Sequence, residues 1–162
     1  MDKIMLFNIK RGKINKKILR EEKMKFKKLT PNMMVKDVRE SVKFYTDILG
    51  FSLNMIVPEG SKTIDNGLKD GKKYVYAMVS RDDVYIMLMN KDVFGKDLPM
   101  LKGAIIGASV SFYCDVDNIH EMYNSLKDKV DIAIDLHTTW YGMQEFYITD
   151  CNGYILGFAE RK

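Results

Sequence analysis

The chain has 162 residues, 46% hydrophobic and 30% charged, which predicts one globular domain with its own core and excludes wholesale disorder. No apolar run approaches the ~20 residues of a membrane span, and the only cysteines, Cys114 and Cys151, lack CxxC spacing, so we expect a non-membrane protein of the reduced cytoplasm. Residues 1–28 carry eleven basic and three acidic side chains, whereas the remaining residues carry fifteen basic and nineteen acidic ones. The remaining residues show no basic stripe with interleaved aromatics, so we do not expect nucleic-acid binding.

Residues 1–26 are predicted to be a basic extension outside the domain. One interpretation is an amphipathic segment that touches anionic lipid or RNA. The other is a mobile extension, or a start codon placed upstream of a true start at Met24. The apolar run over residues 4–7 is too short for a signal-peptide core.

The pattern becomes regular at residue 27, with a strand predicted over 27–35 and a helix after it. Asp37 and Glu40 form a variant of the capping box, and Gly50 ends the helix. The apolar positions between them recur at spacings of four, three and four: Val38, Val42, Tyr45 and Leu49. Three further strands are predicted: residues 51–57, 74–80 and 84–90.

The same order returns in the second half of the chain. Residues 110–116 alternate as a strand, and Asn118 is predicted to cap a helix that carries Ile119, Tyr123 and Leu126. Three strands are again predicted after it: residues 132–136, 143–149 and 154–160. A shift of 81 residues aligns Val38 with Ile119 and Leu53 with Ile134. A βαβββ unit therefore occurs twice, as modules 27–100 and 105–160.

One helix can cover one face of its sheet, so the other face of each sheet needs a partner. We therefore expect an α+β fold in which two curved mixed sheets enclose a cleft. Clefts between repeats are common sites for small ligands.

Two segments carry a family resemblance: VKDVRESVKFYTDILGF at 35–51 and YGMQEFYITDCNGYILGFAE at 141–160. They resemble the opening and closing motifs of the vicinal oxygen chelate superfamily, which includes glyoxalase I, extradiol dioxygenases, fosfomycin-resistance enzymes and bleomycin-resistance proteins. The resemblance covers about residues 27–160 and is closest to the metal-free bleomycin-resistance branch. It implies the fold, whereas the superfamily hosts several chemistries.

The resemblance also locates the four positions at which metal-dependent members carry their ligands. In this chain they fall on Thr30, Met87, Ser111 and Gly157, none of which is a credible ligand for a divalent metal. We therefore expect no metal and no cofactor, which disfavours the metal-dependent chemistries of the superfamily.

Strand alternation then predicts which side chains point into the cleft. The predicted ligand-binding residues are Asn32, Met34, Tyr85, Met87, Ser111, Tyr113, Glu145 and Tyr147, with Trp140 at the cleft mouth. Such a lining suits a flat or partly aromatic ligand. The alternative is that these groups fill a collapsed interface between the sheets.

Glu145 is the acidic member of that set. Its carboxylate either binds a positively charged ligand or is a structural group bonded to backbone or tyrosine. His137 is a candidate general acid or base, and His120 is expected on the surface. Cys114 is expected to be an inert core thiol and Cys151 to be exposed in a turn.

The leading hypothesis is a metal-free protein that sequesters a small molecule, cationic or aromatic, and the resemblance implies a homodimer with shared clefts. The rival is a glyoxalase-like lyase or isomerase, with a relocated metal or an acid–base site on Glu145 and His137. A third hypothesis is an interaction module whose N-terminal extension carries the function.

Overall fold

The computed structural model describes residues 25–107 and 109–162, so the predictions for residues 1–24 lie outside the described part. The strands are β1 (Asn32–Val35), β2 (Ser52–Pro58), β3 (Tyr74–Arg81), β4 (Val84–Asn90), β5 (Ser111–Asp115), β6 (Asp131–Thr138), β7 (Met143–Thr149) and β8 (Ile155–Arg161). The helices are α1 (Val38–Lys43), which runs on into a π-helical turn (Phe44–Ile48), α2 (Lys91–Asp97), a 3-10 turn (Pro99–Leu101) and α3 (Ile119–Leu126).

The strands form two four-stranded sheets of identical topology. Sheet A has the order β1-β4-β3-β2 and sheet B the order β5-β8-β7-β6. In each sheet the first pair is parallel and the other two pairs are antiparallel. The predicted α+β fold with a doubled βαβββ unit is therefore confirmed.

Each helix packs on the sheet of its own module, α1 on β3 and β4 and α3 on β7 and β8. Val38 and Ile119, which the 81-residue shift aligns, each begin a helix and are 1% and 0% exposed. Burying these apolar faces supplies the main stabilisation of both modules. The opposite face of each sheet is covered by neither α1 nor α3, although α2 contacts β1 and β4 of sheet A.

The predicted strand over 27–35 is shorter in the structure. β1 begins at Asn32, and residues 25–31 have no regular structure. Pro31 has no N–H for a sheet ladder, although its carbonyl accepts a bond from the Met87 N–H. Helix α2, between the modules, was not predicted, because residues 91–97 contain Gly95 and show no amphipathic repeat.

The predicted helix cap is present in the first module and absent from the second. Asp37 accepts a hydrogen bond from the Glu40 N–H at 2.9 Å, as predicted. Asn118 makes no side-chain cap and has a φ of 59°. The Glu160 carboxylate instead accepts the N–H groups of Asn118 and Ile119 at 3.1 and 2.9 Å, and these bonds lower its pKa. The prediction failed because this cap comes from β8, about 40 residues away.

The turn between β7 and β8 joins the two modules. Asp150 accepts bonds from the N–H groups of Asn152 and Tyr154, both at 2.8 Å, and from the Tyr45 hydroxyl of the first module at 3.0 Å. The Asn152 side chain accepts the Lys36 N–H at 3.0 Å. The family-like DCNGY segment is thus a polar connection between the modules.

Cys151 of this turn was predicted to be exposed, and the structure shows that this prediction is wrong. It is half-buried, and burial together with Asp150 raises the pKa of its thiol to about 11. Cys114 is also half-buried with a pKa raised by burial, which fits the predicted inert thiol. Within the described residues, no helix has the length and apolar character needed to span a membrane.

Candidate functional site

Glu145 lies in the middle of β7, on the face of sheet B opposite α3, and is 2% exposed. Its carboxylate accepts three tyrosine hydroxyls. Tyr113 and Tyr141 both donate to Oε1 at 2.7 Å, and Tyr147 donates to Oε2 at 2.9 Å. We call these four residues the tyrosine cluster. Of the two interpretations of Glu145, the contacts match a carboxylate bonded to tyrosine.

Gly157 makes room for this cluster. It lies in β8 between Tyr113 of β5 and Tyr147 of β7, which are its register partners. A Cβ at position 157 would lie 2.5 Å from Cε1 of the Tyr147 ring. A larger residue would therefore push this ring away from Glu145.

Tyr141 reaches the cluster from the turn between β6 and β7. The Gly142 N–H bonds to the Thr139 carbonyl at 3.1 Å, and Gly142 has a φ of +84°, a conformation that favours glycine. The rings of Trp140 and Tyr141 meet edge to face at 5.2 Å. Sequence reasoning missed Tyr141, although its place four residues before Glu145 across a glycine turn was a usable signal.

Ile134 was also missed, because β6 contains irregularities. The register shifts between Ile132 and Ile134 and again before His137, which changes the face that each residue occupies. Ile134 is consequently opposite Tyr147 and 50% exposed. His137 is opposite Glu145 in the register, and its Nδ1 contacts the Asp135 carbonyl oxygen at 2.9 Å.

Hydrogen bonding sets the charge of the cluster. Burial alone would raise the pKa of Glu145, but the three tyrosine hydroxyls outweigh it and lower that pKa below its ordinary value. The same bonds raise the pKa of Tyr113 and Tyr141, and burial together with Glu145 raises that of Tyr147. At neutral pH the cluster thus holds one anion and three neutral phenols.

The structure divides the predicted ligand-binding residues between the two sheets. Tyr113, Glu145 and Tyr147 are in contact in the tyrosine cluster of sheet B. Trp140 lies beside Tyr141 and is 95% exposed. Ser111 is exposed at the start of β5. The other four lie in strands of sheet A: Asn32, Met34, Tyr85 and Met87. Met34 is 8% exposed and borders a cavity of about 580 Å³ beside α2.

The donor set does not fit the metal that the superfamily resemblance implies. Gly157 has no side chain, and the space a carboxylate would need there is filled by the Tyr147 ring. Thr30, Met87 and Ser111 are poor ligands. Across residues 25–107 and 109–162, no three His, Cys, Asp or Glu side chains converge as a metal site would require.

His120, the other histidine, is exposed as predicted and lies 2.9 Å from the Gln144 amide nitrogen. It belongs to α3, on the other side of sheet B from Glu145. We therefore give it no part in the site.

The chain resembles several solved structures. TnmS3, an antibiotic binding protein from Streptomyces sp. CB03234, is 16% identical, with 86% of this chain and 100% of that chain covered and a TM-score of 0.60. A glyoxalase/bleomycin resistance protein/dioxygenase from Nocardioides is 14% identical, with 86% of each chain covered and a TM-score of 0.61. TioX from Micromonospora sp. ML1 is 13% identical, with 85% of this chain and 100% of that chain covered and a TM-score of 0.60. At these identities the likeness shows the fold.

No curated protein matches the chain. The family model of the glyoxalase/bleomycin resistance protein/dioxygenase superfamily matches residues 29–158. That span includes all eight strands except the end of β8. The chain therefore belongs to the glyoxalase/bleomycin resistance protein/dioxygenase superfamily.

Proposed function

We propose that this protein binds a planar aromatic small molecule, without covalent chemistry and without a metal, on the exposed rings of the tyrosine cluster, and that it acts by sequestering that molecule. The observation that carries the proposal is the state of Glu145. Its two oxygens accept three short hydrogen bonds from tyrosines and are closed to solvent. The carboxylate thus orients the rings rather than meeting the ligand.

The ring positions support an aromatic ligand. Tyr113 and Tyr141 are about half exposed, at 50% and 51%, and Trp140 is 95% exposed. Ile134 adds an apolar side chain to the same face. Exposed apolar groups gathered on one face commonly mark a binding site, and aromatic rings bind flat ligands by stacking or edge contacts. Fixing the hydroxyls lowers the entropy lost when a ligand docks.

The same geometry argues against a direct salt bridge between Glu145 and a cationic ligand. A ligand ammonium would have to displace a tyrosine hydroxyl from a buried carboxylate, at the cost of a charge-assisted hydrogen bond. TnmS3, one of the similar structures, is an antibiotic binding protein, which supports a small organic molecule as the ligand class.

A matched pair of probes tests the proposal: acridine, which is neutral at pH 8, and 9-aminoacridine, which is a cation. We expect both to bind the full chain in isothermal titration calorimetry with similar affinity. Tyr141→Leu should weaken both about three- to tenfold, because one aromatic contact is lost. Tyr141→Phe keeps the ring and frees an acceptor on Glu145, so it should favour 9-aminoacridine over acridine.

Tyr123→Phe is the matched control, because Tyr123 lies on α3 and bonds to Asp135. It should leave both affinities unchanged. Unchanged affinity in Tyr141→Leu, or no binding by either probe, would contradict the proposal.

The rival lyase or isomerase is less well supported. A general base works best with a pKa near the operating pH, whereas the tyrosines hold that of Glu145 below its ordinary range. Metal analysis of the purified full chain separates the two functions, since a stoichiometric Zn, Ni, Mn or Fe ion would favour the enzyme.

The homodimer stays a prediction within this proposal. The exposed face of sheet B, with Trp140 and Ile134, is a surface that a second copy could cover. Sedimentation equilibrium of the full chain measures the assembly directly.

A further inference from the structure

The face of sheet A opposite α1 carries a cation. The ammonium of Lys28 lies over the ring of Tyr85, which projects from β4. Tyr85 alternates with Ile86 and Leu88, which are 6% and 0% exposed beneath α1, so its ring is on the opposite face. A lysine ammonium over a tyrosine face is an attractive cation–π arrangement.

Little else holds the segment that delivers this lysine. Among the described residues, 25–30 make no hydrogen bond, and the first one comes from the Pro31 carbonyl. Phe26 and Leu29 are 107% and 92% exposed, so neither apolar side chain packs on the domain. The Lys28 ammonium is thus a side-chain contact between this segment and the sheet.

The surroundings of Tyr85 suit an organic cation. Met87 and Met89 follow on the same face of β4, and Met78 is opposite Met87 on β3. All three are half-buried. Polarisable thioethers beside an aromatic face accept alkyl groups of varied shape, and a weakly hydrated ammonium loses little solvation there.

The N-terminal segment and the rest of the chain differ in charge. Residues 1–28 carry eleven basic and three acidic side chains, whereas the rest of the chain carries fifteen and nineteen. A basic segment is therefore attached to an acidic body, and its short tether keeps Lys28 at about millimolar effective concentration near Tyr85.

We propose that Tyr85 is a recognition site for organic ammonium groups and that Lys28 is its built-in competitor. A ligand ammonium has to displace Lys28 before it binds. The N-terminal segment therefore raises the ligand concentration at which the site is half occupied. This site lies on sheet A and does not depend on the aromatic site proposed on sheet B.

Methyl spectra of the full chain labelled with [methyl-13C]methionine provide the test, with tetramethylammonium chloride as the probe and sodium chloride as the ionic-strength control. Met87→Leu identifies the Met87 signal. We expect a saturable shift of this signal in the unmodified chain. Lys28→Met should lower the half-saturating concentration about threefold to tenfold, because a tethered cation–π contact is removed. Lys27→Met, an equal charge change one residue away, should leave it unchanged.

Two further variants keep the result interpretable. In the Lys28→Met background, Tyr85→Phe should keep the saturable shift and Tyr85→Leu should abolish it. Equal half-saturation with and without Lys28, or a shift that survives Tyr85→Leu, overturns the proposal. So does the absence of a saturable shift in Lys28→Met. None of these outcomes bears on acridine binding at Tyr141, so the two proposals fail separately.

Discussion

Asp150→Ala is expected to lower the free energy of unfolding by about 3 kcal/mol, because it leaves several buried donors without an acceptor. Asp150 is 5% exposed and accepts the Tyr45 hydroxyl and two backbone N–H groups. Tyr45 is fully buried, and its other partner is the Met33 sulfur at 3.8 Å. Urea unfolding followed by circular dichroism measures the loss.

A double-mutant cycle with Tyr45→Phe isolates the contact between the modules. If the hydroxyl and carboxylate are coupled, Asp150→Ala costs less in the Tyr45→Phe background than in the unmodified chain. Asp150→Asn keeps an acceptor for the two N–H groups and should cost about 1 kcal/mol. An equal loss in both backgrounds would contradict a hydrogen bond that joins the modules.

Glu145→Gln is expected to destabilise the chain by about 2 kcal/mol, because a neutral amide replaces a buried carboxylate that accepts charge-assisted bonds. The NH₂ group of glutamine cannot accept the hydroxyl that now bonds to that position. Acridine affinity should fall as well, because the rings lose their common anchor. Glu59→Gln, at an exposed carboxylate on the β2–β3 connection, is the control and should change neither quantity.

The pH dependence of stability provides a second readout for Glu145. Its folded pKa is lowered, so its contribution is complete above the unfolded value of about 4.3 and is lost as pH falls through the folded pKa. The difference in unfolding free energy between the unmodified chain and Glu145→Gln should therefore be constant near neutral pH and shrink below about pH 4. A constant difference down to pH 2 would contradict the assigned bonds.

The duplicated unit was predictable because it depends on local patterns. Val38 and Ile119 each follow a polar residue, Asp37 or Asn118, and each begins an apolar helical face that the structure buries. The alternation of Ile86 and Leu88 with Tyr85 and Met87 likewise places each on the expected side of sheet A.

The candidate site was predictable only in part, because its geometry depends on long-range register. Alternation found Tyr113, Glu145 and Tyr147, whereas Tyr141 enters from a turn and Ile134 changes face at a bulge. The Glu160 cap and the Lys28 contact also join residues far apart in sequence. A single sequence does not specify such pairings, since each depends on the final packing of the sheets.

Carbon-13 spectra of the full chain labelled at the tyrosine rings, recorded with and without acridine, test the central claim most directly. The chain has nine tyrosines, and single Tyr→Phe variants assign their signals. We predict that acridine shifts the ring signals of Tyr113 and Tyr141 and leaves that of Tyr123, across the sheet, in place. Binding that shifts Tyr123 but neither Tyr113 nor Tyr141 would show that the aromatic ligand binds elsewhere.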